Sequence, residues 1–237
     1  MNNNGELKKK LDELVKNADF ILASPDTLEK LKARGFPIQS KFVTYQEYLD
    51  KLFEEKKKNA NEIIQDFPPL SDKLANAAIK SLYEEIRECY ALGLFGAAIT
   101  LSVILLELGF KYKIYNKRRE HDPKSQWEKI EIIDLTTAIK NLKNLGELSN
   151  SEKKELDNFN LEIRNPYIHY NLQKLVCNIM VEKLPLLKTE TGEMEILENV
   201  EVAKKPYLWF SGKKFVDKNQ AHSILKFCIG WVNKVLG

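Results

Sequence analysis

The sequence predicts a mainly α fold: an up-down helical bundle with a small β-hairpin inserted before its last helix and a small α/β appendage at the N-terminus. Three observations carry this. After residue 70, apolar residues recur at three- and four-residue spacing. Capping residues and glycines punctuate those stretches. The period changes to alternation only around Thr191-Gly192. With 237 residues and 43% hydrophobic content, there is ample apolar surface for a core.

Residues 1–66 are mixed in character. Leu7, Leu11, Leu14 and Val15 repeat at helical spacing, and Phe20 to Ala23 reads as a short strand. Ser24 is a candidate N-cap with Pro25 at the first helical position, and Gly35 closes the short helix that follows. A second strand is expected at Lys41 to Val43. Thr44 and Glu47 then form a capping-box pattern that opens a helix through Lys56-Lys57-Lys58. That lysine run reads as a solvated helix end complementing the macrodipole. Asp66-Phe67-Pro68-Pro69 marks the boundary, because proline cannot continue a helix.

The bundle, residues 70–237, opens at Ser71-Asp72 with a helix carrying Leu74, Ala77, Ala78, Leu82, Ile86, Cys89 and Tyr90 on one face. Gly93 ends it before a buried helix from about Leu94 past Tyr112. Asp134 caps a third helix with Leu135, Ala138, Ile139, Leu142 and Leu145 in one stripe, closed by Gly146. Ser149 and Glu152 start a fourth by the capping-box pattern. Asn165-Pro166 reads as an N-cap and first helical residue of a new or kinked helix bearing Ile168, Leu172, Leu175, Val176 and Ile179. Leu184 to Glu198 alternates as a β-hairpin, Tyr207 to Phe210 reads as an aromatic strand or turn, and a last helix is expected over Ala221 to Leu236. The insertion as a whole spans about 184–215.

Charge and cysteine usage narrow the classes. Lys plus Arg number 37 against 34 Asp plus Glu, so any nucleic-acid surface must be local. Cys89, Cys177 and Cys228 are far apart, with no histidine at ligand spacing, which argues against disulfides and structural zinc and places the chain in the cytoplasm. The uncharged run between Glu88 and Glu107 approaches a membrane span in length. Gly93, Gly96, Thr100 and Ser102 interrupt it, so a helix turn leading into a buried helix fits better. No membrane partner is expected.

Of the three histidines, His121 lies in a polar connection and His222 begins the last predicted helix. His169 is different, because it closes the run Arg164, Asn165, Pro166, Tyr167, Ile168, His169. At roughly 100° per residue it sits about 75° from the centre of its apolar stripe, bordering the core. Asn165 and His169 share a face, and a kink at Pro166 brings Arg164 toward it. Such a set suits phosphodiester chemistry without a metal or other cofactor. Imidazole takes the proton of a ribose 2′-hydroxyl, and guanidinium holds the phosphoryl oxygens as charge builds. A position in the first turn of a helix would favour the neutral imidazole. The alternative is structural: Arg164 pairs with an acid such as Glu162 or Glu107, Asn165 is an N-cap, and His169 is a half-buried helix residue.

Leu82 to Glu107 (LYEEIRECYALGLFGAAITLSVILLE) resembles the first helical hairpin of the HEPN family. Leu135 to His169 resembles that family's later helices, ending in its Arg, four to six residues, His signature as RNPYIH. The resemblance implies a HEPN-like bundle in which Arg164 and His169 are catalytic and Asn165 is the polar residue that often follows the arginine. It also implies a homodimer that brings two motifs into one cleft and cuts RNA without metal, in phage defence or beside an antitoxin or other partner protein. A non-catalytic HEPN dimer that binds RNA or nucleotides, or scaffolds a partner, is the other function it allows. The tyrosine that a toxin subgroup carries two residues after the histidine is Asn171 here, with Tyr170 one position early. Which residues bind RNA is not legible at this level.

Overall fold

A computed structural model describes residues 21–22, 29, 33, 42–67, 76–122, 124, 126–187 and 194–237. The chain divides into two compact units, Met1–Ala60 with Pro185–Ile196, and Asn61–Leu184 with Leu197–Gly237.

In the first unit, β1 (Ile21–Leu22) pairs in parallel with β2 (Phe42–Val43), Ile21 opposite Phe42 and Leu22 opposite Val43. Of the helix expected between Ser24 and Gly35, Glu29 and Ala33 are described, and both are helical; its caps, like Leu7 to Val15, lie outside the described residues. The Thr44–Glu47 capping box forms: the Thr44 amide donates to Glu47 Oε2 at 2.7 Å and the Glu47 amide to Thr44 Oγ1 at 3.2 Å. The Thr44 amide, and then the Thr44 hydroxyl, which also donates to Glu47 Oε2, hold the Glu47 carboxyl below its ordinary range. The helix this box opens, α1 (Tyr45–Asp66), runs past the lysines, and its residues after Ala60 belong to the second unit, so the division falls within the helix and not at the expected Asp66-Phe67-Pro68-Pro69.

The second unit is mainly α. Its first described helix, α2 (Ala77–Ala91), is capped by Asn76, whose side chain accepts from the Ile79 amide; Ser71, Asp72 and Leu74 lie outside the described residues. The buried face is Ile79, Tyr83, Ile86 and Ala91, whereas Ala77 and Ala78 are exposed. The buried face is therefore rotated by about one residue from the expected stripe: Ile79 and Tyr83 lie at its centre, and Leu82, Cys89 and Tyr90 pack at its edge. Burial pushes the Tyr83 hydroxyl up to about 12. Gly93, at φ 70°, ends α2 in a Schellman turn, with Gly93 N–H donating to Tyr90 O and Leu94 N–H to Cys89 O.

That turn leads into α3 (Phe95–His121), around which α2, α5 (Leu135–Asn144) and α9 (Trp209–Leu236) pack. Among the described residues it is the one helix long and apolar enough to cross a membrane, and 44% of its apolar stretch is buried inside the protein. Ile99, Leu105, Leu106, Phe110 and Ile114 have no exposed surface, and the Ser102 hydroxyl is satisfied by the Ala98 carbonyl at 2.7 Å. Beyond the short α4 (Glu128–Glu131), Asp134 caps α5 by accepting from the Thr137 amide, and Gly146 closes it in a second Schellman turn.

Ser149 and Glu152 form the capping box that opens α6 (Asn150–Phe159), and Lys234 of α9 pairs with the same Glu152. Lys234 and then Ser149 lower the Glu152 carboxyl from 4.5 to about 2. A folded-state value below the unfolded one contributes stability that is complete above pH 4.5 and is lost as pH falls toward 2. Glu152→Gln should flatten the acid dependence of the urea midpoint in that window. The pair lies at the surface, with Lys234 exposed and Glu152 partly so, and the effect should shrink with salt. An unchanged acid limb in the variant would remove this pair from the account.

After α6 the chain departs from the expected pattern. There is no N-cap at Asn165 and no helix over residues 166–180. Instead α6 continues through a π-helical turn, Asn160–Arg164, into α7 (Asn165–Ile168), and only a four-residue helix, α8 (Leu172–Leu175), capped by Asn171, follows. Proline supplies the reason. In the π register the Asn165 amide donates to Asn160 O, five residues back, and the next amide would serve Leu161 O, but Pro166 has none. Lys174 Nζ donates to that Leu161 carbonyl at 2.9 Å. The widened turn thus accommodates the ring without breaking the helix.

β3 (Met180–Leu187) pairs with β4 (Met194–Glu201), the hairpin that the alternation around Thr191-Gly192 predicts, with strands longer than expected. The aromatic segment after it is not a strand. Pro206–Leu208 is a 3₁₀ turn that feeds α9, which begins twelve residues earlier than expected. Gly212 makes this possible, because a Cβ there would lie 2.9 Å from Val202 Cγ1, 3.1 Å from Val176 Cγ1 and 3.3 Å from Ile179 Cδ1. Branched neighbours cannot swing aside. Gly212→Val should therefore cost ~3 kcal/mol, at the upper end of overpacking, read as a lower denaturation midpoint. A midpoint equal to wild type would show that α9 is free to move outward. Further along, α9 stacks Phe227 on Phe159 at 4.4 Å and sets Trp231 edge-on to Phe110.

Candidate functional site

The Arg164–His169 segment lies against the middle of α3 and the first turns of α9. Arg164 is the last residue of the π turn. Its Nη2 donates to Glu107 Oε2 at 3.2 Å and its Nη1 to Asn165 Oδ1 at 3.1 Å, and 15% of the side chain is exposed. Glu107 is held in turn by Lys111, one turn along α3, whose Nζ is 2.8 Å from Oε1 and also donates to the Glu131 carbonyl. The Arg164 charge also helps lower the Asp134 carboxyl, after the larger effect of the Thr137 hydrogen bonds. The Nε of Arg164 is buried without a hydrogen-bond partner. The ion pair with Glu107 is the structural alternative realised for this residue, and it fixes the guanidinium in place.

Asn165 is not an N-cap, since its backbone is helical at φ −63° and ψ −45° and its side chain accepts from Arg164. Its role is orientation of the guanidinium. His169 is exposed rather than half-buried, and it closes α7 instead of occupying a first helical turn, so the expected action of a helix N-terminus on its imidazole does not apply. The turn after it is a Schellman motif: Asn171 N–H donates to Pro166 O and Tyr170 N–H to Tyr167 O. The left-handed position, where glycine is normal, is held by Tyr170 at φ 52° with its ring exposed. Such backbone strain in a non-glycine residue, of order 1–3 kcal/mol, tends to occur at working sites.

A network that the sequence did not disclose supports this turn. Tyr167 is buried, and its hydroxyl donates to Asp217 Oδ1 at 2.8 Å; Lys213 Nζ is 2.5 Å from Asp217 Oδ2. Lys213 Nζ also lies 5.2 Å from the Tyr167 ring centroid and 5.7 Å from that of Tyr170. Burial first, and then the Asp217 carboxylate, raise the Tyr167 hydroxyl far above its ordinary value, so it stays protonated as the donor. Gly96, at the start of α3, leaves room for the pair, because a Cβ there would come within 2.6 Å of Asp217 Oδ2 and 2.8 Å of Lys213 Nζ. The Lys213–Asp217 spacing of four was the available signal, but it acquires meaning only once α9 begins before residue 213.

The other histidines lie elsewhere. His121 ends α3. His222 Nδ1 lies 3.3 Å from the Tyr90 hydroxyl, beside the Phe67 ring at 5.1 Å. Among the described residues, no group of three or more His, Cys, Asp and Glu side chains is arranged to hold a metal ion. The chain matches no family model, no curated protein and no solved structure.

Proposed function

We propose that the chain is a metal-independent endoribonuclease of the HEPN type, working in the cytoplasm as a homodimer whose two Arg164–His169 motifs share a cleft. The observation that carries this reading is an exposed imidazole at a strained helix end, five residues from a guanidinium locked by Glu107 and Asn165. A locked cation has little reorganisation to undergo when charge develops on phosphorus. In the reaction, the 2′-oxygen attacks phosphorus as His169 of one copy accepts its proton. The bond from phosphorus to the 5′-oxygen then breaks, and a protonated imidazole, supplied by the second copy, protonates the leaving oxygen. The products are a 2′,3′-cyclic phosphate and a 5′-hydroxyl.

The test is incubation with mixed RNA in excess chelator. Cleavage should persist, DNA of the same sequence should survive, and the new ends should be cyclic phosphates. Metal-dependent cutting of DNA would place the chemistry elsewhere. The second reading, a non-catalytic dimer that binds RNA or scaffolds a partner such as an antitoxin, is favoured by one specific feature: both Nη atoms of Arg164 already have protein acceptors. Intact RNA together with a stable dimer would decide for it.

A further inference from the structure

Residues 202–219 contain five lysines, Lys204, Lys205, Lys213, Lys214 and Lys218, and a single acid, Asp217. That acid is buried and pairs with Lys213, itself largely buried, so it offsets that lysine and not the charge of Lys214 or Lys218. Lys204 pairs with Glu201, whereas Lys214 and Lys218 are exposed and pair with no described carboxylate. Three large aromatic side chains are interleaved with these lysines in the open: Tyr207, 55% exposed, Phe210, 62%, and Phe215, 63%. On α9, at about 100° per residue, Phe210, Lys214, Lys218, Ser211 and Phe215 span an arc of about 140°. The opposite face of the helix buries Gly212 and Val216. The arc adjoins the motif, since Lys213 Nζ lies over the ring of exposed Tyr170, the residue after His169.

We infer that this aromatic and lysine face is a binding surface for single-stranded RNA; the inference rests on the endoribonuclease reading for its choice of RNA. Lysines meet the phosphates, and base faces stack on Phe210 and Phe215, a combination that tolerates any sequence because every base has a π face. A duplex hides those faces in its own stack, so the ligand is unpaired. A second copy of this chain would bring Lys214 and Lys218 against like charge, which disfavours self-association as the use of this surface. The chain's charge is nearly balanced overall, and this patch supplies the local excess that RNA requires.

The experiment is fluorescence anisotropy with a labelled oligouridylate and with a mixed-sequence RNA duplex, in a His169→Ala background so that nothing is cut. Each of Phe210→Ala and Phe215→Ala should weaken oligouridylate binding by about 5- to 150-fold, the range of one lost stacking contact, with duplex binding unaffected. Phe210→Tyr and Phe215→Tyr should restore it. Lys214→Ala with Lys218→Ala should lower the salt dependence by about 1.4 logarithmic units per unit, at ~0.7 for each phosphate contact. Both phenylalanines are exposed, and unchanged thermal midpoints will show the variants folded. No oligouridylate binding, or affinities within about twofold of the parent, overturns the inference, as does loss of self-association with RNA affinity unchanged. The two proposals fail separately. Cleavage by the double-phenylalanine variant with unchanged KM removes the face and leaves the nuclease, whereas phenylalanine-dependent binding by a wild-type chain that cuts nothing removes the nuclease and leaves the face.

Discussion

His169→Ala should lower the rate of RNA cleavage by ~10²- to 10⁴-fold, the usual cost of a lost general acid or base, while leaving RNA affinity nearly unchanged. The imidazole is exposed, and only its backbone amide is engaged, with Asn165 and Tyr167 carbonyls, so truncation should not disturb the fold. Thermal midpoints of variant and parent should agree. Arg164→Ala should behave differently. It removes charge from both ground and transition state and also leaves the part-buried Glu107 with Lys111 alone, so affinity, rate and stability should all fall, the last by ~1–3 kcal/mol. Asn165→Ala should act through the guanidinium it orients, lowering kcat more than stability, since no helix cap is lost. Undiminished cleavage by the His169→Ala protein would falsify the mechanism.

The largest stability effect is expected at the core of α3. Leu105→Asp puts a carboxylate where no surface is exposed, among Leu106, Ile99 and other apolar side chains of the core. A carboxyl buried without a partner costs on the order of several kcal/mol, whether it stays ionised or is neutralised by protonation, comparable with the entire ~5–15 kcal/mol that holds a domain together. The variant should lose its cooperative melting transition and its near-UV dichroism. Leu101, one turn earlier on the same helix, is only partly buried, so Leu101→Asp should be milder. A folded Leu105→Asp protein with a wild-type midpoint would mean that α3 is not the centre of the core. Recovery of the parent chain only with membranes would mean the same.

Residue patterns alone determined the elements whose signals are local. Capping at Thr44, Asp134 and Ser149, the left-handed glycines at 93 and 146, and the paired strands β3 and β4 each depend on a few consecutive residues, and each lies close to where it was expected; Thr191-Gly192 itself lies outside the described residues. The RNPYIH run is equally local, and of its candidate site residues the structure joins Arg164 and Asn165 by a hydrogen bond and leaves His169 exposed at the helix end. Tertiary structure decided what depends on distant partners. Pro166 looks like a helix start, yet a π turn and the Lys174 ammonium absorb its missing donor. Tyr207 to Phe210 looks like an aromatic strand or turn and the last helix looks as if it starts at Ala221, yet α9 begins at Trp209, with Gly212 packed on Val176 and Val202. The guanidinium of Arg164 gained its fixed position from Glu107, 57 residues away, and the turn at His169 is supported from Asp217, 50 residues beyond Tyr167. Local propensity is set by backbone geometry within a turn or two, whereas ion pairs and close helix contacts exist only after the chain has folded back on itself, and no short window of sequence records them.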